Sequence, residues 1–414
     1  MPYEAASGAR LRVSWYLYED GAREWNPDSF HDVELHATCV PQTWLDGTLR
    51  CVPIADEAVF IDAACTMAVG SATTIEKPSY FIAYDGGRPA AVYRAGAATT
   101  QPAALYRQSA DSCVGPLAAP DGMYFATTDV LPGGSLVELA ETEVGDARLG
   151  ARVRTATDGT RVPLALVDRE LGLDCRVIAR DTAAACEPTA APAATAFADV
   201  ACTVPALVTS ALADTPAVVQ VRSPDGCPSY HATGAELAAA YRREADTCTA
   251  IAPGNVRFVA VGDELALASV DRVVEAGRRL DRIVASDDGL TIAAGLFDTA
   301  THADCMRQNL GDTMRCIPTE TLPAAPLYAA GCQVSLAVVA APVRTCAVVA
   351  FATSSESSGI ALHAIGDPYQ GVAYAYNSSG VCQPYTPPVD VVLRALGPVL
   401  PLDTFESALS YGER

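Results

Sequence analysis

The feature that most constrains this chain is a cysteine pair that occurs three times. Cys39 and Cys51 enclose Asp46-Gly47, with Arg50 just before the second cysteine and Val52-Pro53 after it. The phrase returns as Cys175 to Cys186-Glu187-Pro188, and again as Cys305 to Cys316-Ile317-Pro318, where Arg315 repeats Arg50. Any fold must accept this pattern three times, and such repetition has to be settled before length is converted into a number of domains.

The repetition extends beyond the cysteines. Gly8-Ala9-Arg10-Leu11, Gly145-Asp146-Ala147-Arg148-Leu149 and Gly277-Arg278-Arg279-Leu280 open three units, which we bound at 8–144, 145–276 and 277–411. Each opening leads into a strand-like run and then Asp20-Gly21, Asp158-Gly159 or Asp288-Gly289. Asp-Gly between such runs predicts a type I′ hairpin, whose central positions need positive φ. An aspartate then stands seven residues before the first cysteine of each pair: Asp32, Asp168 and Asp298.

Cysteines on adjacent antiparallel strands satisfy disulfide geometry, so the expected bridges are Cys39–Cys51, Cys175–Cys186 and Cys305–Cys316. By the loop-entropy argument each link is worth roughly 3 kcal/mol. A third and a fourth cysteine follow in every unit: Cys65 and Cys113, Cys202 and Cys248, Cys332 and Cys382. Cys227 and Cys346 are additional, and Lys77 takes their place in the first unit. Pairing third with fourth strands no cysteine in the first unit. The rival scheme, Cys202–Cys227 with Cys332–Cys346, has the closer spacing, and both stay open.

Each unit carries about eight short strand-like runs between regular turn signals, which predicts an all-β protein. Two four-stranded sheets per unit would build a six-bladed β-propeller with pseudo-threefold symmetry, all three units forming one closed domain. Three β-domains in a row is the alternative, though no Pro/Gly/Ser-rich linker divides the units. The stretch Ala235 to Ala245 is helical by propensity. It is read as strand and turn because its counterparts hold Pro102 and Asn377-Ser378-Ser379-Gly380. The apolar stretch Leu327 to Ala352 is broken at Pro342 and Arg344, which predicts two buried strands joined by a turn rather than a membrane span. Gly412-Glu413-Arg414 stands in phase with a unit opening, so the first strand is expected beside the last.

Formal net charge is −21, which argues against nucleic acid and anionic membrane surfaces as partners. Fourteen cysteines without a C-x-x-C point to an oxidising compartment rather than to zinc. The start, Met-Pro-Tyr-Glu-Ala-Ala-Ser-Gly, has neither a basic nor an apolar signal region, so the sequence is expected to describe a mature or trimmed form. The paired cysteines with Asp-Gly and Arg-Cys-x-Pro are followed by a Phe/Tyr-x-Asp-x-x-Cys phrase, as in Phe60-Ile61-Asp62-Ala63-Ala64-Cys65. This combination resembles a repeat in uncharacterised secreted proteins and lipoproteins of myxobacteria. The resemblance covers nearly the whole chain. It implies an exported, surface-associated protein, and it carries over no activity and no site residues.

Candidate chemistry is sparse. His36 and His302 are equivalent, with Gly172 in the second unit, and could belong to a metal site only if the units met there. His31, His231 and His363 are the others, and all five are read as surface or hydrogen-bonded side chains. Asp32, Asp168 and Asp298 either hold a cation or sugar or, the reading preferred here, cap turns. Arg50 and Arg315 are expected to pair with them. No G-x-S-x-G, P-loop or H-E-x-x-H occurs. Asn377-Ser378-Ser379 matches a glycosylation acceptor.

The resulting expectation is a non-catalytic exported binding or scaffold protein, without cofactor, recognising a glycan or protein partner at the cell surface, outside the cell or in the periplasm. The alternatives are an extracellular glycoside hydrolase or lyase, with its acids in the less repetitive stretches Ile75 to Gly96 or Phe351 to Gly359, and a self-assembling surface subunit. Alkylation under denaturing, non-reducing conditions tests the compartment. Mass spectrometry should find twelve or more of the fourteen cysteines protected, whereas fourteen alkylated cysteines in protein from its native source would remove that argument.

Overall fold

The computed structural model describes residues 2–72, 78–109, 112–179, 184–222, 228–244, 247–287, 290–310, 313–329, 331–342, 349–356, 359–376, 379–387 and 391–412. Among these the protein is all-β, with two short 3-10 turns and no α-helix. Residues 235–237 lie within a strand, as do 241–244.

Fifteen strands form a hydrogen-bonded ring in chain order. In the first unit they are β1 (Leu11–Tyr18), β2 (Arg23–Asp32), β3 (Ala37–Thr43), β4 (Leu49–Pro53) and β5 (Leu139–Val144). In the second they are β6 (Leu149–Ala156), β7 (Arg161–Asp168), β8 (Leu173–Ala179), β9 (Ala184–Pro188) and β10 (Ser269–Glu275). In the third they are β11 (Leu280–Asp287), β12 (Leu290–Asp298), β13 (Ala303–Leu310), β14 (Thr313–Pro318) and β15 (Ser407–Gly412). The last strand, β15, pairs with the first, β1, from Ser14↔Gly412 to Tyr18↔Ala408.

Three equivalent joints complete the ring. The backbone N–H of the second cysteine donates to the incoming chain each time: Cys51 to Val137 O, Cys186 to Ala268 O and Cys316 to Glu406 O, all at 3.0 Å. Beyond each joint the fifth strand changes partner and pairs with the first strand of the next unit. Each core therefore mixes units. Cys39 and Cys51 pack with Leu11, Val13, Phe30, Val137 and the next unit's Val162. Cys175 and Cys186 lie among Leu149, Leu166, Val270 and Ile292, and Cys305 and Cys316 among Tyr16, Tyr18, Leu280 and Leu296.

Between the fourth and fifth strand of each unit the chain leaves the ring to build a five-stranded barrel. In the first, Asp56–Phe60, Ala68–Ala72, Met123–Leu131, Arg88–Thr99 and Tyr80–Asp85 pair in turn, and Asp56 and Glu57 close the circuit against Phe81 and Ile82. In the other two the bridges Ala193↔Gln220 and Ala324↔Val339 complete the corresponding circuits. A hairpin beside each barrel carries the fourth cysteine, giving Cys65–Cys113, Cys202–Cys248 and Cys332–Cys382. The ring bridges are Cys39–Cys51, Cys175–Cys186 and Cys305–Cys316. Cys227, Cys346 and Lys77 lie outside the described residues, as do Asp288-Gly289 and Asn377-Ser378.

Six separate four-stranded blades are not confirmed. The fifth strand of each unit bonds on both sides, so the ring is one continuous sheet, and the remaining strands close on themselves. The apolar 327–352 stretch is not two strands joined by a turn: Tyr328–Ala329 pairs with Val334–Ser335, while Val338–Pro342 and Phe351–Glu356 pair with other partners rather than with each other. The Asp-Gly hairpins are one residue longer than type I′. In them only the glycine, at Gly21, Gly47 and Gly159, has positive φ, and the bonds Gly21 N to Tyr18 O and Tyr18 N to Ala22 O define a type I turn with a glycine bulge. The aspartate caps the turn, as Asp20 Oδ1 accepts from Ala22 N and Asp158 Oδ1 from Thr160 N.

Asp32, Asp168 and Asp298 are fully buried, and each is gripped by the arginine that opens its unit. The Nη2–Oδ2 distances are 2.7 Å for Arg10–Asp32, 2.7 Å for Arg148–Asp168 and 2.9 Å for Arg279–Asp298. Arg50 and Arg315 are not the partners. Arg50 pairs with Asp46 and Glu138, and Arg315 donates to Phe405 O, because both project at a joint rather than beneath the hairpin. Each aspartate also accepts backbone N–H bonds from its own turn, such as Glu34 and Leu35 to Asp32 Oδ1. That turn ends in a left-handed residue, which is His36 (φ 52°), Gly172 (φ 66°) or His302 (φ 52°). The shared position of the two histidines thus reflects backbone geometry.

Two expectations follow. Replacing Asp32 by Ala leaves the mostly buried Arg10 guanidinium with only the exposed Glu34 as counter-charge and should cost about 3 kcal/mol in urea unfolding. Asp46→Ala, at an exposed partner, should leave the urea midpoint almost unchanged. The second concerns acid. Burial alone would raise the Asp158 carboxyl, but N–H bonds from Leu11, Thr160 and Arg10 outweigh it and hold it below the ordinary range. Its contribution to the contact between units is complete above the unfolded value and lost as pH falls through the folded one. Protection of the Leu11 amide from hydrogen exchange should therefore weaken only on acidification below that range.

Candidate functional site

The repeated polar groups are consumed by the fold, so a site is sought where the threefold pattern breaks. Trp15 on β1 faces Trp25 on β2 across the pair. At the same register the second unit has Val153 opposite Pro163, and the third has Val284 opposite Ala293. The indoles meet edge to face, with centroids 6.4 Å apart and planes at 87°. Trp25 Nε1 donates to Pro163 O at 3.0 Å and is fixed by it, whereas the Trp15 indole N–H has no hydrogen-bond partner among the described residues. Two of the chain's three tryptophans are thus committed to one place.

This pair forms one wall of a cleft of about 290 Å³ between the first unit and the junction of the second and third. The opposite wall comes from the β10–β11 turn, with Glu275 and Gly277, and from Arg282 on β11. Glu4 closes the end, carried by the strand Pro2–Tyr3, which runs parallel to β12. Arg282 holds both acids, at 2.9 Å from Glu4 and 3.7 Å from Glu275. Arg23 lies over the Trp15 ring, its guanidinium carbon 4.6 Å from the centroid. The cleft therefore offers aromatic faces with charged donors and acceptors at the rim, the composition of a site for a ligand with both apolar and hydroxylated surfaces.

The chain belongs to the DUF7481 family. This is a family of unknown function, and its model matches residues 2–405. No curated protein and no solved structure matches the chain. The match covers the ring up to β14, the barrels and the cleft, and brings no activity with it.

The remaining candidates fall elsewhere. Among the described residues no three His, Cys, Asp or Glu side chains are grouped to hold a metal ion. His231 and His363 sit at matching places in the second and third barrels. Their ring nitrogens meet Ser229 Oγ and Gly262 O, and Ser354 Oγ and Gly397 O, respectively. In each case the imidazole satisfies a strand carbonyl and a hydroxyl. In the stretch proposed for an acidic cluster, Tyr84, Gly86 and Gly87 line a second cleft with Glu57 and Arg107. Those last two form an exposed ion pair at 3.1 Å, leaving no pair of facing carboxylates there.

Sequence reasoning passed over the tryptophans because it searched for what recurs. The signal that finds them is the reverse: a large aromatic pair where the aligned positions hold small or aliphatic residues.

Proposed function

We propose that the protein is an exported, disulfide-stabilised binding protein that takes a glycan in the Trp15–Trp25 cleft. The observation that carries this reading is the edge-to-face indole pair beside Arg23, Arg282, Glu4 and Glu275. A pyranose ring has an apolar C–H face that packs on an indole, and equatorial hydroxyls that need donors and acceptors at its edge. Six bridges account for twelve of the fourteen cysteines and support residence in an oxidising compartment, outside the cell or in the periplasm.

A binding role is favoured over hydrolysis by the state of the carboxylates. Glycosidic cleavage needs two acids placed on either side of a bond, one able to donate a proton. Here Glu4 and Glu275 are both tied to a single guanidinium between them. The arrangement shapes the cleft and neutralises charge.

A glycan array followed by calorimetry tests the reading. A bound glycan should lose at least about ten-fold in affinity with Trp15→Ala, equal to about 1.4 kcal/mol. Trp44→Phe, at the tryptophan outside the cleft, should leave binding unchanged. Full affinity in Trp15→Ala would place the ligand elsewhere, and an array without a hit would remove the glycan.

A further inference from the structure

Resting on the glycan reading of the cleft, we infer that its preferred ligand is an acidic sugar, with the carboxylate of a uronic acid residue received by Arg23. The argument concerns which charges near the cleft are already committed. Arg282 is neutralised by Glu4 and Glu275. Glu24, next to Arg23 in sequence, is engaged on the other side by Arg307 at 3.0 Å and by the Tyr18 hydroxyl. Asp20 accepts backbone N–H groups from Ala22, Arg279 and Leu280. Arg23 itself forms no ion pair among the described residues, and it is exposed.

Its position is prepared for an anion. A guanidinium laid over an indole is held by cation–π attraction, which restrains a side chain that would otherwise sample many rotamers. A guanidinium carries its N–H donors in a planar fork that matches a carboxylate. Arg161 occupies the same strand register in the second unit, opposite Thr155 as Arg23 is opposite Leu17, but there Val153 replaces the tryptophan. At this ring position the uncommitted cation and the tryptophan therefore coincide only in the first of the three units. In a chain with net charge −21, an unpaired arginine at the mouth of a cleft also gives an acidic ligand a local attraction that the rest of the surface opposes.

The test uses a panel of uronic acid oligosaccharides, each paired with its carboxyl-reduced counterpart, titrated into wild type, Arg23→Gln and Trp15→Ala. The expected result is an acidic member binding about ten-fold or more tighter than its reduced partner, as one charge-assisted contact implies. Arg23→Gln should erase that difference at unchanged thermal midpoint, and added salt should narrow it. Equal affinity for the two forms, a preference that survives Arg23→Gln, or binding of neutral glycans alone would overturn the inference while leaving the glycan reading intact. If nothing binds, from this panel or the array, both fall. Loss of the acidic and reduced forms alike in Trp15→Ala identifies the cleft as their site and supports the inference.

Discussion

Three buried carboxylates hold this architecture together. Each of Asp32, Asp168 and Asp298 sits beneath the hairpin between the second and third strands of its unit and meets the arginine from the unit's start. That arginine has donors to spare. Arg10 Nη1 reaches Ser135 O, Arg148 Nη2 reaches Ala266 O, and Arg279 Nη2 reaches Thr404 O, each on the chain returning from a barrel to the ring. One ion pair thus ties three distant parts of a unit. Burying such charges is costly, and an apolar contact would be cheaper. The pair is directional, however, and fixes where the returning strand re-enters, which an apolar contact does not.

Repetition and its exceptions divide the molecule into two kinds of residue. Where side chains recur, they serve the frame. Where they do not, the local physics changes. The second barrel illustrates this away from the cleft. The first barrel sits on the ring through Val52, Tyr80, Ile82 and Val92, and the third through Ile317, Phe351 and Leu362. In the second, Glu187 occupies the place of Val52 and Ile317 and binds Arg176, which also reaches Glu320 at 3.1 Å. Burial and the neighbouring Glu187 carboxylate push the Tyr230 hydroxyl well up. This barrel is docked by charges and hydrogen bonds, the other two by apolar area.

The strand content, the Asp-Gly hairpins and the recurring aspartates were legible because each depends on a few neighbouring residues. Closure of the last strand on the first was also in view, from the phase of Gly412-Glu413-Arg414. The single continuous sheet was not, since it depends on partner exchange along β5, β10 and β15, and no local pattern marks the residue at which a strand changes neighbours. The partner of Asp32 was in view as the repeated Arg10, but Arg50 stood closer to a cysteine and drew the assignment. The shared position of His36 and His302 suggested chemistry until Gly172 was seen to share a positive φ with them. The cleft required knowing that the first unit meets the junction of the second and third, which follows only from the assembled ring.

The exchange of the fifth strand makes the three units depend on one another. A single unit of this design owns four strands of its core and lends the fifth to a neighbour. Alone it would expose Val13 and the ring cysteines on one side and a bare strand on the other. Three identical copies, each lending to the next, would satisfy all of them. The geometry is that of a closed trimer written into one chain. A single chain lets each third differ, and a tryptophan pair in only one of them is a feature that one chain permits and a symmetric trimer of identical copies forbids.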